Sequence, residues 1–275
     1  MLSISGSGHA IASTAAADWQ SQAATQPLDA AANRAPVADG VARMLQAAGS
    51  RGGEGPVAAP TDGGRELVAS EDSVTAGGVR DAYDMQLYRE ADGSYTLEMD
   101  MKVEFDFTEG PDGQTWTADE KEQFMADYRQ AVEGAWDGHT ITTDDGQEVT
   151  LDVNLELVEK PDGFLGGVRD AFDGSENWSI EVVRIDEGGF NQSYVVPSQN
   201  AGRFDSEDVN PIAKGASDPQ VGAAHEFGHM IGLPDEYNGN AGPDAAKDTD
   251  SVMHTGMDVR ERHLDIMESW IEDHT

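Results

Sequence analysis

The sequence predicts an α+β domain, and three observations predict it. Runs of strict apolar–polar alternation mark strands. A capped amphipathic helix separates the first strands from the later ones. A second helix, bounded by proline and glycine, follows the last strand.

Taken in order, Tyr83, Met85 and Leu87 alternate with polar residues and lead to Asp92-Gly93, a hairpin-turn pair. Tyr95, Leu97, Met99, Met101, Val103, Phe105 and Phe107 then alternate against Thr96, Glu98, Asp100, Lys102, Glu104 and Asp106, which predicts a strand with one buried face. Thr117 and Glu120 are spaced as a capping box, and Phe124, Tyr128, Ala131, Val132 and Trp136 recur at helical spacing behind them. Val149, Leu151, Val153, Leu155 and Leu157 predict another strand, and Trp178, Ile180 and Val182 a third. Tyr194-Val195-Val196 before Pro197 has the form of a short edge strand. Ser217-Asp218-Pro219 predicts a helix start with proline at or near the first helical position, and Gly232 ends that helix.

Composition divides the chain. Of its 275 residues 53 are acidic and 17 basic, for a formal net charge of −36, and only 38% are hydrophobic. The hydrophobic deficit is concentrated in residues 1–78, an Ala/Gly-rich stretch predicted to be a disordered leader because it cannot bury enough surface to offset chain entropy. Residues 79–275 are the predicted folded domain. The leader is a pro-segment, an export signal or a passive tail.

The acidity argues against nucleic acid and anionic membranes as partners, since both are held by Lys and Arg. With no cysteine, disulfides, thiolate metal sites and a cysteine nucleophile are excluded. No apolar run reaches the roughly 18 residues that span a bilayer. The Met1-Leu2-Ser3-Ile4-Ser5-Gly6 start lacks the basic and apolar regions of a Sec signal peptide. The expectation is a monomer that is secreted or exported by a non-Sec route, with the cytoplasm as the alternative.

The informative segment is the second helix. His225 and His229 stand four apart, so they project from one helical face and can share a cation. Glu226 lies beside them, suited to accept a proton from an attacking water without being a ligand. A sharp turn at Gly232 would bring Asp235 round as a third ligand, leaving one open position on a tetrahedral zinc, as catalytic sites require.

His225-Glu226-Phe227-Gly228-His229-Met230-Ile231-Gly232-Leu233-Pro234-Asp235 resembles the extended zinc motif of the metzincin metallopeptidases, with Asp in the third ligand position as in snapalysin-like members. Ser251-Val252-Met253-His254-Thr255-Gly256 resembles their methionine turn, close to the astacin form, and the resemblance implies that Met253 packs beneath the metal without ligating it. Astacins carry a tyrosine where Thr255 stands; Tyr237 is the candidate to supply an oxyanion contact in its place, with packing as the other reading. Glu236 follows the third ligand as a glutamate does in astacins, with Arg260, Arg262 or solvent as its partner. His263, in the Arg260-x-Arg262-His263 cluster, is a further candidate for touching substrate.

The resemblance implies a metzincin-like fold over about residues 80–275: a twisted, mostly parallel sheet, a backing helix, an active-site helix, and a short C-terminal subdomain with the methionine turn and a final helix. Val259, Leu264, Ile266, Met267, Trp270 and Ile271 supply apolar positions for that last helix. The expected activity is zinc-dependent hydrolysis of peptide bonds in a protein or peptide substrate, with one Zn2+ and Glu226 as general base. A non-catalytic zinc-binding structural or adhesion module and a non-peptidase zinc amidohydrolase are the alternatives. Asp244, Asp248 and Asp250 are candidate Ca2+ ligands, but they lack EF-hand spacing.

Overall fold

The computed structural model describes residues 61–62, 64–161, 177–213, 219–239 and 241–275. Residues 1–60, most of the predicted leader, and Ser217-Asp218 of the predicted helix start lie outside the described residues. Among the described residues the fold is α+β, with a large sheet and few helices. No described helix is long and apolar enough to cross a membrane.

The strands are β1 (Thr61–Asp62), β2 (Arg65–Ala76), β3 (Val79–Arg89), β4 (Tyr95–Thr108), β5 (Thr140–Thr142), β6 (Glu148–Glu159), β7 (Trp178–Val183), β8 (Tyr194–Val196), β9 (Ala201–Asp205), β10 (Pro211–Ile212) and β11 (Gln220–Val221). The helices are α1 (Ala118–Trp136), α2 (Gly222–Met230) and α3 (Asp265–His274). The main sheet runs β1-β2-β3-β4-β7-β9-β8, with β6 also pairing β4, and β5 pairing β6.

This sheet is mixed, which corrects the expectation of a mostly parallel one. β4/β6, β4/β7 and β7/β9 are parallel, whereas β1/β2, β2/β3, β3/β4, β5/β6 and β8/β9 are antiparallel. Short connections dictate the second group. The turn around Gly93 (φ 90°) and the tight links between β2 and β3, β5 and β6, and β8 and β9 leave no room for a crossover. Between β4 and β6 the chain passes through α1, and that crossover permits a parallel pair.

The predicted domain boundary at residue 79 is also corrected. Residues 65–76 are β2, hydrogen-bonded to β3 along most of its length, with Val74 and Ala76 buried in the core. Their turn at Gly77 and Gly78, both at positive φ, belongs to the fold as well.

β4 is the hub. Its register pairs it with β3 over residues 95–100, with β7 over 103–108 and with β6 over 95–105. The alternating face is buried as predicted from Leu97 to Phe105, but the opposite face is not solvated throughout: Glu98 and Glu104 are buried too. Glu98 is satisfied there by Arg65 of β2 at 2.6 Å.

α1 begins with the predicted capping box of Thr117 and Glu120 and buries Phe124, Tyr128, Val132 and Trp136. It backs α2 directly: Trp136 Nε1 donates to the Ala224 carbonyl at 2.9 Å, and the Tyr128 hydroxyl reaches Met230 Sδ at 3.6 Å. Two hydrogen-bonding aromatics, about two helical turns apart on α1, thus fix the height of α2 over the sheet. α3 docks Met267, Trp270 and Ile271, and Trp270 Nε1 donates to Glu71 of β2 at 2.6 Å.

Candidate metal centre

α2 starts at Gly222, later than Pro219, because Gln220–Val221 pair with Pro211–Ile212 as a two-residue ladder before the chain turns helical. The Ala223 N–H is taken by the Asp208 carbonyl at 2.9 Å, and Asp208 lies so close to Gly222 that a Cβ there would sit 2.6 Å from its Oδ1. The helix ends where the sequence predicts. Gly232 adopts φ 101°, and Leu233 N–H donates back to the Gly228 carbonyl at 2.9 Å, which throws the chain back toward the histidines.

That reversal brings His225, His229 and Asp235 together. Their ligand-capable atoms all lie within 4.8 Å of one another. His225 Nε2 is 3.4 Å and His229 Nε2 3.0 Å from Asp235 Oδ1. The rings sit edge to face, 4.9 Å between centroids. On the far side, His225 Nδ1 donates to the Val252 carbonyl at 2.7 Å and His229 Nδ1 to the Leu233 carbonyl at 2.8 Å. Because a carbonyl only accepts, each ring carries a proton on Nδ1 and is free to turn an Nε2 lone pair inward.

The donor set fits a divalent cation. Asp235 Oδ1 is buried with no hydrogen-bond partner, since the short approaches of the two Nε2 atoms lack hydrogen-bonding angles. Three lone-pair atoms converging in this way repel one another unless positive charge lies between them. Ligands about 2.0–2.1 Å from a tetrahedral zinc stand about 3.4 Å apart, close to the separations found. The charge balance agrees: Glu226 and Asp235 are two buried carboxylates beside two imidazoles. Burial alone would disfavour a proton on His229, but the Asp235 and Glu226 carboxylates outweigh it and raise its pKa to about 9. A proton and a metal compete for the same lone pair, so a site this attractive to one is attractive to the other.

Glu226 is buried next to His225 and His229, and its charge acts on His229 and Tyr237. Tyr237 is half exposed at the rim of the site. Its hydroxyl faces the Asp235 charge, and its ring stands edge-on to His254 at 6.1 Å. Burial and then the neighbouring Asp235 and Glu226 charges hold that hydroxyl protonated.

Met253 is fully buried against the helix: a Cβ at Gly228 would fall 2.1 Å from its Sδ. Glycine at 228 is therefore what lets the 251–256 turn seat under the two histidines. That turn is held at its middle by the Glu236 N–H on the Met253 carbonyl at 3.0 Å and closed on itself by the Gly256 N–H on the Ser251 carbonyl at 3.0 Å.

Glu236 has its partner in Arg262. The ion pair is bidentate (2.7 and 2.8 Å), and Arg262 continues to Asp248 at 2.8 Å, which in turn is held by Arg260. His263 is not placed to meet substrate, which corrects its candidacy. It is buried, its Nδ1 accepts from the Arg260 N–H at 3.0 Å, and its Nε2 faces Glu236 Oε1 at 3.0 Å. The calcium candidates are not brought together either. Asp248 is bound by the two arginines, Asp244 pairs with exposed Lys247, and the three acids form no metal-ligating group among the described residues.

Three contributors have no local sequence signal: Gln220, Asp208 and the Gly77-Gly78 turn. Comparison with known protein families and with curated proteins finds no match for this chain.

Proposed function

We propose that the chain is a metzincin-like zinc-dependent endopeptidase in which His225, His229 and Asp235 hold the ion and Glu226 is the general base. One observation carries the reading: two Nδ1-anchored imidazoles and an orphaned buried carboxylate oxygen converge beside a second buried carboxylate, Glu226. A structural zinc site needs no such second carboxylate, and it closes the fourth position with a protein ligand.

Zinc, when bound, supplies Lewis acidity that activates water and polarises a carbonyl. Glu226 takes the proton from the attacking water and returns it to the departing amine, the two halves of general acid–base catalysis. Tyr237, at the rim beside Asp235, donates a hydrogen bond to the substrate oxygen as negative charge develops there. The substrate chain extends along β8, the last strand of the sheet path, whose outer side has no strand partner among the described residues and which packs beside α2.

The test separates ligand from base. Zinc content and cleavage of a peptide library are measured for His225→Ala, His229→Ala, Asp235→Ala and Glu226→Gln beside the parent. The three ligand variants are expected to lose zinc. Glu226→Gln is expected to keep one zinc per chain and lose at least the 10²–10⁴-fold typical of a general base. Full zinc in Asp235→Ala would remove the third ligand. Undiminished cleavage by Glu226→Gln would remove the mechanism, and zinc without cleavage of any peptide by the parent would favour a non-catalytic module.

A further inference from the structure

Gln220 is almost completely buried, one residue before the end of β11, and its side-chain nitrogen is surrounded by acceptors of one loop. Nε2 lies 2.9 Å from the Val252 carbonyl, 3.2 Å from that of Gly256 and 3.3 Å from that of His254. Three carbonyls around one nitrogen fix the amide orientation, because an amide oxygen there would face three acceptors. The same nitrogen is 3.4 Å from His225 Nδ1. Since His225 Nδ1 already donates to the Val252 carbonyl at 2.7 Å, this is no direct hydrogen bond: the two donors share one acceptor.

We propose that Gln220 is a positioning residue of the metal centre: its amide holds the Val252 carbonyl in the direction that orients the His225 imidazole. The inference rests on the zinc reading of His225, His229 and Asp235. Two N–H groups draw three carbonyls of the 251–256 turn inward, so the carbonyl that meets His225 is held by a second donor lying beside the ring nitrogen. Without those donors the His254 and Gly256 carbonyls lose a buried partner and repel, and the Val252 carbonyl is free to rotate away. A partner that orients a metal-ligating imidazole through its second nitrogen changes metal affinity by about 10- to 100-fold.

The experiment uses the full chain. Zinc affinity, by chelator competition, and the visible spectrum of the cobalt(II)-substituted protein are compared for the parent, Gln220→Met and Gln220→Asn. Methionine keeps the length without donors, and asparagine keeps the donors one methylene short. Val149→Ala, a core truncation in β6, serves as a control for general loss of stability. Both Gln220 variants are expected to bind zinc about tenfold or more weakly and to shift the cobalt bands, while Val149→Ala lowers the melting temperature and leaves affinity and bands unchanged. Parental affinity and bands in either folded Gln220 variant overturn the proposal. A parent that binds neither metal overturns instead the metal centre on which it rests.

Discussion

Gly77 and Gly232 meet backbone to backbone. A Cβ on Gly77 would fall 1.9 Å from the Gly232 carbonyl oxygen, and one on Gly232 would fall 2.7 Å from the Ala76 carbonyl group. The tip of the β2–β3 hairpin is thus the back wall of the turn that carries Asp235 toward His225 and His229. Gly232 needs glycine twice over, for its φ of 101° and for this approach.

A chain that begins at residue 61 is therefore expected to melt cooperatively and to bind zinc like the full chain. One that begins at residue 79 lacks β2, leaves the Trp270 N–H without its Glu71 acceptor and strips Val74 and Ala76 from the core. It is expected to lose cooperative melting and zinc binding together. Calorimetry with metal analysis checks both, and a fully folded, zinc-loaded 79–275 chain would show that the wall is dispensable.

The Glu236–Arg262 pair sets the acid limit. Burial would raise the Glu236 pKa, but Arg262 and then Ser251 and His263 outweigh it and hold it at about 2; Arg260, ahead of Arg262, does the same for Asp248, also about 2. Both values are depressed, so the stabilisation is complete above the ordinary carboxylate range and is lost as pH falls toward 2. Arg262→Met is expected to cost about 3 kcal/mol at neutral pH, the low end for stranding a buried charge, because the arginine side chain is 36% exposed. Denaturant titrations at pH 7, 5, 4 and 3 should show the gap to the parent narrowing with acid.

Asp208 works in the opposite direction. Burial, then the charge of Asp205, pushes its pKa up to about 8, with the Glu226 carboxylate adding to the shift. A raised carboxyl favours the fold most when protonated, so its contribution is full below about pH 4 and is lost as pH rises through 8. Asp208→Asn keeps the neutral shape at every pH. It is expected to gain on the parent by about 1 kcal/mol, or about 2–4 °C in melting temperature, between pH 6 and pH 9 with zinc in excess. A constant difference across that range would mean that Asp208 is ionised throughout.

Salt should stabilise. Most described Lys and Arg side chains are in ion pairs that are individually worth about 0–1 kcal/mol at the surface, whereas the net charge of −36 repels itself over the whole molecule. Raising sodium chloride from about 10 mM to 1 M shortens the screening length from about 30 Å to about 3 Å, and the melting temperature is expected to climb throughout. A falling curve would mean that the pairs outweigh the repulsion.

What could be read from the sequence was local. β4 and β6 announce themselves by alternation, α1 by Thr117 and Glu120, and the convergence of His225, His229 and Asp235 by their spacing around a helix-ending glycine. β2 escaped because its register shifts between Leu67 and Ala69 and again between Glu71 and Val74, so its apolar residues keep no period of two, and only Val74 and Ala76 are buried. The proline signal at 219 was overridden by the pairing of Gln220–Val221 with Pro211–Ile212. Strand direction leaves no trace in a period of two, and the basic cluster around His263 looked like surface because its acidic partners, Glu236 and Asp248, lie 27 and 15 positions earlier in the chain.

Reading the chain in the order a ribosome delivers it adds a matter of timing. The main sheet is complete at Asp205, and the three ligands follow by Asp235, but the carbonyl that aims His225 belongs to Val252 and the arginine that neutralises Glu236 to position 262. At about 5–20 residues per second, the interval between the last ligand and Arg262 is on the order of seconds. For that interval the nascent protein holds two histidines on a helix and a carboxylate just past its end, with no floor beneath them. The three side chains of the cluster are thus made before the turn that buttresses them, and their geometry waits on residues 251–262.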